Sequence, residues 1–138
     1  MSEMAAPLRI SEALRDEIIA HAQAELPREC CGVISGRAGR ATRLYRLTNI
    51  EVGNRLYRVD DTELYRVYRE IEEQGGELLA IYHSHPASPP YPSATDVSLA
   101  FWAEAYYIIC SLADPAAPEV RAFHIRDERI TEPGIQTV

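Results

Sequence analysis

LLAIYHSHPASPPYPSATD, residues 78–96, is the stretch from which the organisation of the chain can be worked outward. Residues 78–85 read as a buried strand. Period-two alternation then puts Leu79, Ile81, His83 and His85 on one face, with Leu78, Ala80, Tyr82 and Ser84 on the other. Pro86, Pro89, Pro90 and Pro92 stiffen the loop that follows, because each proline fixes φ and pushes the residue before it toward extended backbone. Ser93, followed three residues later by Asp96 and then by the apolar residues Val97, Leu99, Ala100, Phe101 and Trp102, reads as a helix N-terminus. That start carries Asp96 toward the end of the strand. Two imidazoles on one strand face and a carboxylate are the donor set of a catalytic zinc site, where three protein ligands leave a fourth position for water.

The rest of the chain supplies the frame. Ser11 caps a helix reaching Glu25, with Leu14, Ile18, Ala22 and Leu26 on one stripe and Pro27 ending it. Residues 31–35 read as a strand, 36–40 as a turn and 41–48 as the hairpin partner. Asp61 caps a second helix with Leu64, Val67, Tyr68 and Ile71 inward, stopped by Gly75-Gly76. After the third helix come strands near residues 106–112, 120–125 and 130–136. The expected fold is α/β (α+β), a mixed central sheet flanked by helices in an α-β-α arrangement. Residues 1–7 are expected to be loose and 8–138 to form one domain.

Composition sets limits on function. At 138 residues, one domain should bury about two-thirds of the surface its unfolded chain exposes, without help from disulfides. Cys30, Cys31 and Cys110 are odd in number and form no C-x-x-C pair, so they read as apolar fillers, with Cys30 a site-adjacent thiol candidate through its neighbour Glu29. No apolar run approaches membrane-spanning length and no signal-peptide core precedes Glu12, so the expectation is a cytoplasmic protein without a membrane partner. The net charge of -7 argues against nucleic-acid binding. All fourteen basic residues are arginine. Eight of them, at 37, 40, 43, 46, 55, 58, 66 and 69, make residues 37–69 locally +4 against -11 elsewhere. That segment is either a solvated face or a docking patch for an acidic protein. Oligomeric state is not legible, and a homodimer is left open.

With Glu29 upstream in PRECCGVISG (residues 27–36), the chain fills every position of the pattern Glu, then H-x-H-x7-S-x-x-D. In this it resembles the JAMM (MPN-plus) zinc metalloproteases over about residues 14–125. Among these it is most similar to the short bacterial Mec-type peptidases that trim amino acids from the C-terminus of ubiquitin-like sulfur-carrier proteins. The resemblance implies that His83, His85 and Asp96 hold one Zn2+, that Glu29 is the general base, and that Ser93 stabilises the oxyanion. It implies a partner that is a ubiquitin-like sulfur carrier or its conjugates, cut after the terminal Gly-Gly. Tyr57 and Tyr91 are aromatic candidates for the groove wall, with the core as the other reading for Tyr57.

Other readings stand beside these. His83 and His85 read alternatively as ordinary core histidines, Ser93 and Asp96 as a helix cap alone, and Glu29 as a surface charge. At the level of function, the alternatives are an isopeptidase that removes modifiers from lysines and a noncatalytic MPN-type scaffold. A nucleobase deaminase is excluded by the lack of H-x-E and P-C-x-x-C, and a zincin by the lack of H-E-x-x-H.

Overall fold

The computed structural model describes residues 6–51 and 56–138. In chain order the elements are β1 (Leu8–Ile10), α1 (Glu12–Glu25), β2 (Cys31–Arg37), β3 (Arg40–Leu47), α2 (Asp61–Glu73), β4 (Glu77–His85), α3 (Ala94–Ser98), β5 (Tyr106–Ser111), β6 (Glu119–Arg126), β7 (Arg129–Thr131) and β8 (Ile135–Thr137). The strands make one mixed sheet in the order β7-β6-β5-β4-β2-β3-β1-β8. At its centre β4 runs antiparallel to β2 and parallel to β5. A parallel pair cannot be closed by a tight turn and needs a crossover. Here the crossover is the proline loop with α3, the segment that carries Ser93 and Asp96.

Each face of the sheet buries one helix. Leu14, Ile18 and Ala22 of α1 pack with Ile34, Ala80, Tyr82, Ile108 and Cys110. On the opposite face Ile71 of α2, with Leu64 and Val67, packs against Val33, Leu47, Ile81 and Tyr107. Successive residues of β4 point to opposite faces, so Ile81, His83 and His85 share the α2 side. This is the expected α+β architecture with helices on both sides of a mixed sheet.

Several details differ from the sequence reading. Leu78 and Leu79 exchange faces: the β2–β4 register passes from Ile34↔Ala80 to Ser35↔Leu78, so Leu79 is the extra residue of a bulge and joins Ala80 in the α1 core. Leu26 is not on the buried stripe but half exposed at the C-cap of α1. The cap of α2 is Asp60, which accepts from the Thr62 N–H, and Asp61 lies in the first turn. The third helix is a five-residue turn, and Phe101 beyond it is exposed. Residues 130–136 are not one strand. Pro133 and Gly134, with Gly134 at φ +88°, break them into β7 and β8 on opposite edges of the sheet. Strand β1, flanked by too little alternation to be read, pairs β3 and β8. Most of the segment 1–7 lies outside the described residues; within it, Ala6 accepts a hydrogen bond from the Tyr106 hydroxyl at 2.7 Å.

At the centre of the sheet Gly32 lies across from Tyr82, whose ring crosses over it to reach His21 Nδ1 at 2.7 Å. A Cβ on Gly32 would fall 2.2 Å from the ring. The ring is fully buried and cannot swing aside without breaking the His21 bond. Gly32→Ala is therefore expected to cost about 1–3 kcal/mol through overpacking; an unchanged urea midpoint would show that the ring has room to move.

Candidate active site

The donor atoms converge. His83 Nε2 and His85 Nε2 lie 3.2 Å apart, and Asp96 Oδ2 is 3.2 Å from the first and 3.0 Å from the second. Two β4 residues on one face and one α3 residue therefore bring three lone-pair atoms to a common point. Such atoms repel unless a proton or a cation sits between them. Tetrahedral bonds of about 2.0–2.1 Å separate neighbouring donors by about 3.3 Å, close to the spacing here. The cluster fits a metal ion.

The surroundings prepare these groups as ligands. His85 Nδ1 donates to the Pro89 carbonyl at 2.8 Å, which in the neutral ring leaves Nε2 as the lone-pair atom. The Pro89 carbonyl is held by the stiff loop, and the loop by the Ser111 hydroxyl, which donates to the Ser88 carbonyl at 2.6 Å. His83 is 2 % exposed. Burial pulls it below the ordinary imidazole range against the opposing hydrogen bond of Asp96, so it stays neutral. Burial also pulls His85 down, but its bonds to Asp96 and to the Pro89 carbonyl outweigh that and leave it raised. For Asp96 burial alone would push the carboxyl up; the bonds from both histidines and from the Ser93 N–H hold it well below the usual carboxylate range.

Ser93 and Asp96 form a reciprocal capping box. Ser93 N–H donates to Asp96 Oδ2 at 2.9 Å, and Asp96 N–H donates to Ser93 Oγ at 3.0 Å. The cap and the ligand set are one arrangement, because the cap aims the carboxylate. Ser93 is exposed, and its hydroxyl accepts in this pair, so its proton remains available to an incoming group.

Glu29 reaches the same place by sheet register. Cys31 lies across from His83, and continuing that antiparallel pairing by two residues brings Glu29 alongside His85. The segment is pinned on one side by Cys30 N–H to Ser84 Oγ at 2.8 Å and on the other by Asn49 Nδ2 to the Glu29 carbonyl at 2.8 Å. Glu29 is 7 % exposed, and its carboxyl is pushed up to about 7, by burial first and by the Asp96 charge, with His85 opposing. A carboxyl poised there can exchange protons near neutrality. Cys30, by contrast, is fully buried with its thiol pushed up to about 12, so it is a core residue and not a reactive one.

Tyr57 stacks on His83, with ring centroids 4.6 Å apart at 23°. The same ring lines a groove of about 440 Å³ with Leu56, Leu64, Ile81, Phe101 and Trp102, so Tyr57 connects that groove to the cluster. Tyr91 packs edge-on against Phe123. Of the basic segment, Arg43 pairs with Glu70 at 3.4 Å, Arg69 pairs with Glu73 at 3.4 Å, and Arg37 donates to the Gln74 carbonyl; Arg55 lies outside the described residues. Those three are tied to α2 or its end, which leaves Arg40, Arg46, Arg58 and Arg66 among the described arginines as the docking candidates. Sequence reasoning missed Asn49, Ser84 and the Pro89 carbonyl. Asn49 and Ser84 act through backbone partners that only the fold brings near, and the Pro89 carbonyl acts through the imidazole four residues before it.

The chain matches the prokaryotic homologs of the JAB domain over residues 11–126. It is 38% identical to the CysO-cysteine peptidase of Mycobacterium tuberculosis, across 95% of this chain and 91% of that protein. It is 36% identical to the desampylase of Haloferax volcanii, across 75% and 80%, and 35% identical to a probable TtuB-protein conjugate cleaving protease of Thermus thermophilus, across 73% and 68%. A solved structure from Desulfitobacterium hafniense is similar at a TM-score of 0.85 and 32% identity, across 94% of this chain and 92% of that one. A JAB1/MPN domain protein of Archaeoglobus fulgidus shares the fold at a TM-score of 0.62 and 22% identity, across 93% and 98%. With its motif residues converging on one sheet face and its match spanning most of its length, the chain belongs to the prokaryotic JAB-domain family.

Proposed function

We propose that this chain is a zinc-dependent peptidase that hydrolyses the bond after the C-terminal Gly-Gly of a ubiquitin-like sulfur-carrier protein, releasing the residue beyond it, such as cysteine. The observation that carries the reading is the convergence of His83, His85 and Asp96 beside a buried Glu29. The likeness to a CysO-cysteine peptidase across nearly the whole of both chains supports the substrate. Two nitrogens and one carboxylate oxygen suit zinc with a position left open. Zinc, when bound there, supplies Lewis acidity and lowers the pKa of water to about 7.

The chain's own residues do the rest. Glu29 accepts a proton from the attacking water and returns it to the departing amine, so that one water and one amide become a carboxylate and an amine. Ser93 donates its hydroxyl proton to the carbonyl oxygen as charge develops on it. The carrier's tail enters extended along the groove past Tyr57, and its glycines let the backbone come close to the cluster. Cys30, Cys31 and Cys110 are free and buried, which suits the reducing cytoplasm where we place the protein. No described helix is long and apolar enough to cross a membrane. A second reading, cleavage of isopeptide conjugates, is favoured by the likeness to a desampylase and to a probable conjugate-cleaving protease.

The direct test is the intact mass of a sulfur carrier ending in Gly-Gly-Cys after incubation with the zinc-loaded protein. Loss of one residue that a chelator prevents is the expected result; an unchanged mass, with cleavage of a lysine conjugate instead, moves the assignment to the isopeptidase. Glu29→Gln is expected to keep its zinc and lose turnover, whereas His85→Ala and Asp96→Ala lose both. Ser93→Ala is expected to lower the rate by about 10² to 10³, with a capping loss of about 1 kcal/mol in stability.

Glu29 also links function to stability. Its carboxyl is raised from 4.5 to about 7, so the folded state holds a proton that the unfolded chain releases. The sign is destabilising: the penalty is absent below about pH 4.5, grows between the two values, and is complete above about pH 7. In the metal-free protein Glu29→Gln is expected to raise the unfolding free energy at pH 8 by on the order of 3 kcal/mol and to change it little at pH 4.5. Equal effects at both pH values would show that the carboxyl is not buried as charged.

A further inference from the structure

We propose that Asn49 is a positioning residue: its side-chain amide sets the backbone of Glu29 and the strap that carries Tyr57 in one fixed relation, and so aligns the general base with the groove wall. The inference rests on the peptidase reading above. Asn49 follows β3 and is 3 % exposed. Its Nδ2 donates to the Glu29 carbonyl at 2.8 Å and to the Leu56 carbonyl at 3.2 Å. Its Oδ1 accepts from the Glu51 N–H at 2.9 Å and from the Arg58 N–H at 3.0 Å. A primary amide has two donor hydrogens and two acceptor lone pairs, and all four are used.

The four partners are backbone groups from two separate places. One is the segment entering β2, where the base sits. The other is the strap, where Leu56 and Arg58 flank Tyr57 and Tyr57 stacks on His83. The two places are tied further by Arg28, the neighbour of Glu29, whose guanidinium donates to the Asn49 carbonyl at 2.8 Å and to the Glu51 carbonyl. The described residues of the strap, 50–51 and 56–59, are joined through Ile50 N–H to the Arg58 carbonyl at 2.8 Å and the Asn49↔Val59 bridge. A movement of the strap therefore acts on the Glu29 peptide through one buried side chain. Removing that side chain leaves the buried Glu29 carbonyl without its Asn49 bond, so the segment must shift to find another partner. A shift of about 1 Å at a reacting group can cost about 10²-fold in rate.

The variants Asn49→Ala and Asn49→Asp separate positioning from plain structural support. Alanine cuts all four bonds; aspartate keeps the two acceptor bonds to the strap and loses the donors to Glu29 and Leu56. Zinc content is expected to match the unsubstituted protein in both, because the ligands sit on β4 and α3. On a carrier ending in Gly-Gly-Cys, kcat is expected to fall about 10- to 100-fold in both. KM should rise with alanine and rise less with aspartate. Backbone amide exchange, read by mass spectrometry, should quicken with alanine in residues 28–31 and 56–59 together. Native kcat and KM with only a lowered unfolding temperature would overturn the proposal. If alanine prevents folding, the kcat of the aspartate variant decides alone. If the unsubstituted protein leaves the carrier uncut, the substrate reading fails while the positioning inference is still judged by exchange: faster in both segments supports it, and faster in 56–59 only overturns it.

Discussion

The antiparallel register of β2 on β4, with Cys31 across from His83, is the constraint on which the rest of the site depends. Strand alternation puts His83 and His85 on the α2 face, and the same register carries Glu29 to that face from a segment more than fifty residues earlier in the chain. A slip of one residue would reverse every side chain and send the base to the wrong side of the sheet. Two contacts hold the register against that slip. Tyr82 lies over Gly32, where any added Cβ would meet the ring, and Ser84, between the two histidines, turns to the opposite face and receives the Cys30 N–H. The bulge at Leu79 shifts the pairing well before the histidines, so their end of the strand keeps its phase.

Two carboxyls a short distance apart are driven to opposite behaviour by their surroundings. Asp96 receives hydrogen bonds from His83, His85 and the Ser93 backbone, which keep it ionised and ready to bind a cation. Glu29 has no comparable donors among the described residues and lies buried, so it keeps its proton up to about 7. The proposed ligand and the proposed proton carrier are thus distinguished by hydrogen bonding and burial, not by residue type. A site arranged in this way carries a stability penalty, which the sheet around it must offset.

The groove beside the cluster shows the same economy. Phe101, Trp102 and Leu56 are large apolar residues left open to solvent, and they border the ring that stacks on His83. Apolar surface gathered at a cleft is a feature of binding sites. Ile81 of β4 lines it, so one strand contributes to the groove and carries both histidines.

The sequence by itself determined the proposed ligand triad, the capping box and the face shared by both histidines, because those depend on short spacings and on local strand and helix geometry. It also determined α1 and α2 to within a residue or two, since their apolar periodicity and their caps are local. Only the tertiary structure decided the long-range matters. The family pattern pointed to Glu29, but its arrival beside His85 needs the pairing of two strands distant in sequence. Asn49 carries no local signal, because its value lies in four backbone groups that the fold alone assembles. Residues 130–136 looked like one strand because alternation is measured along the chain, whereas β7 and β8 are separated by their partners on opposite edges of the sheet. Local periodicity reports which face a residue takes; it does not report what stands across from it.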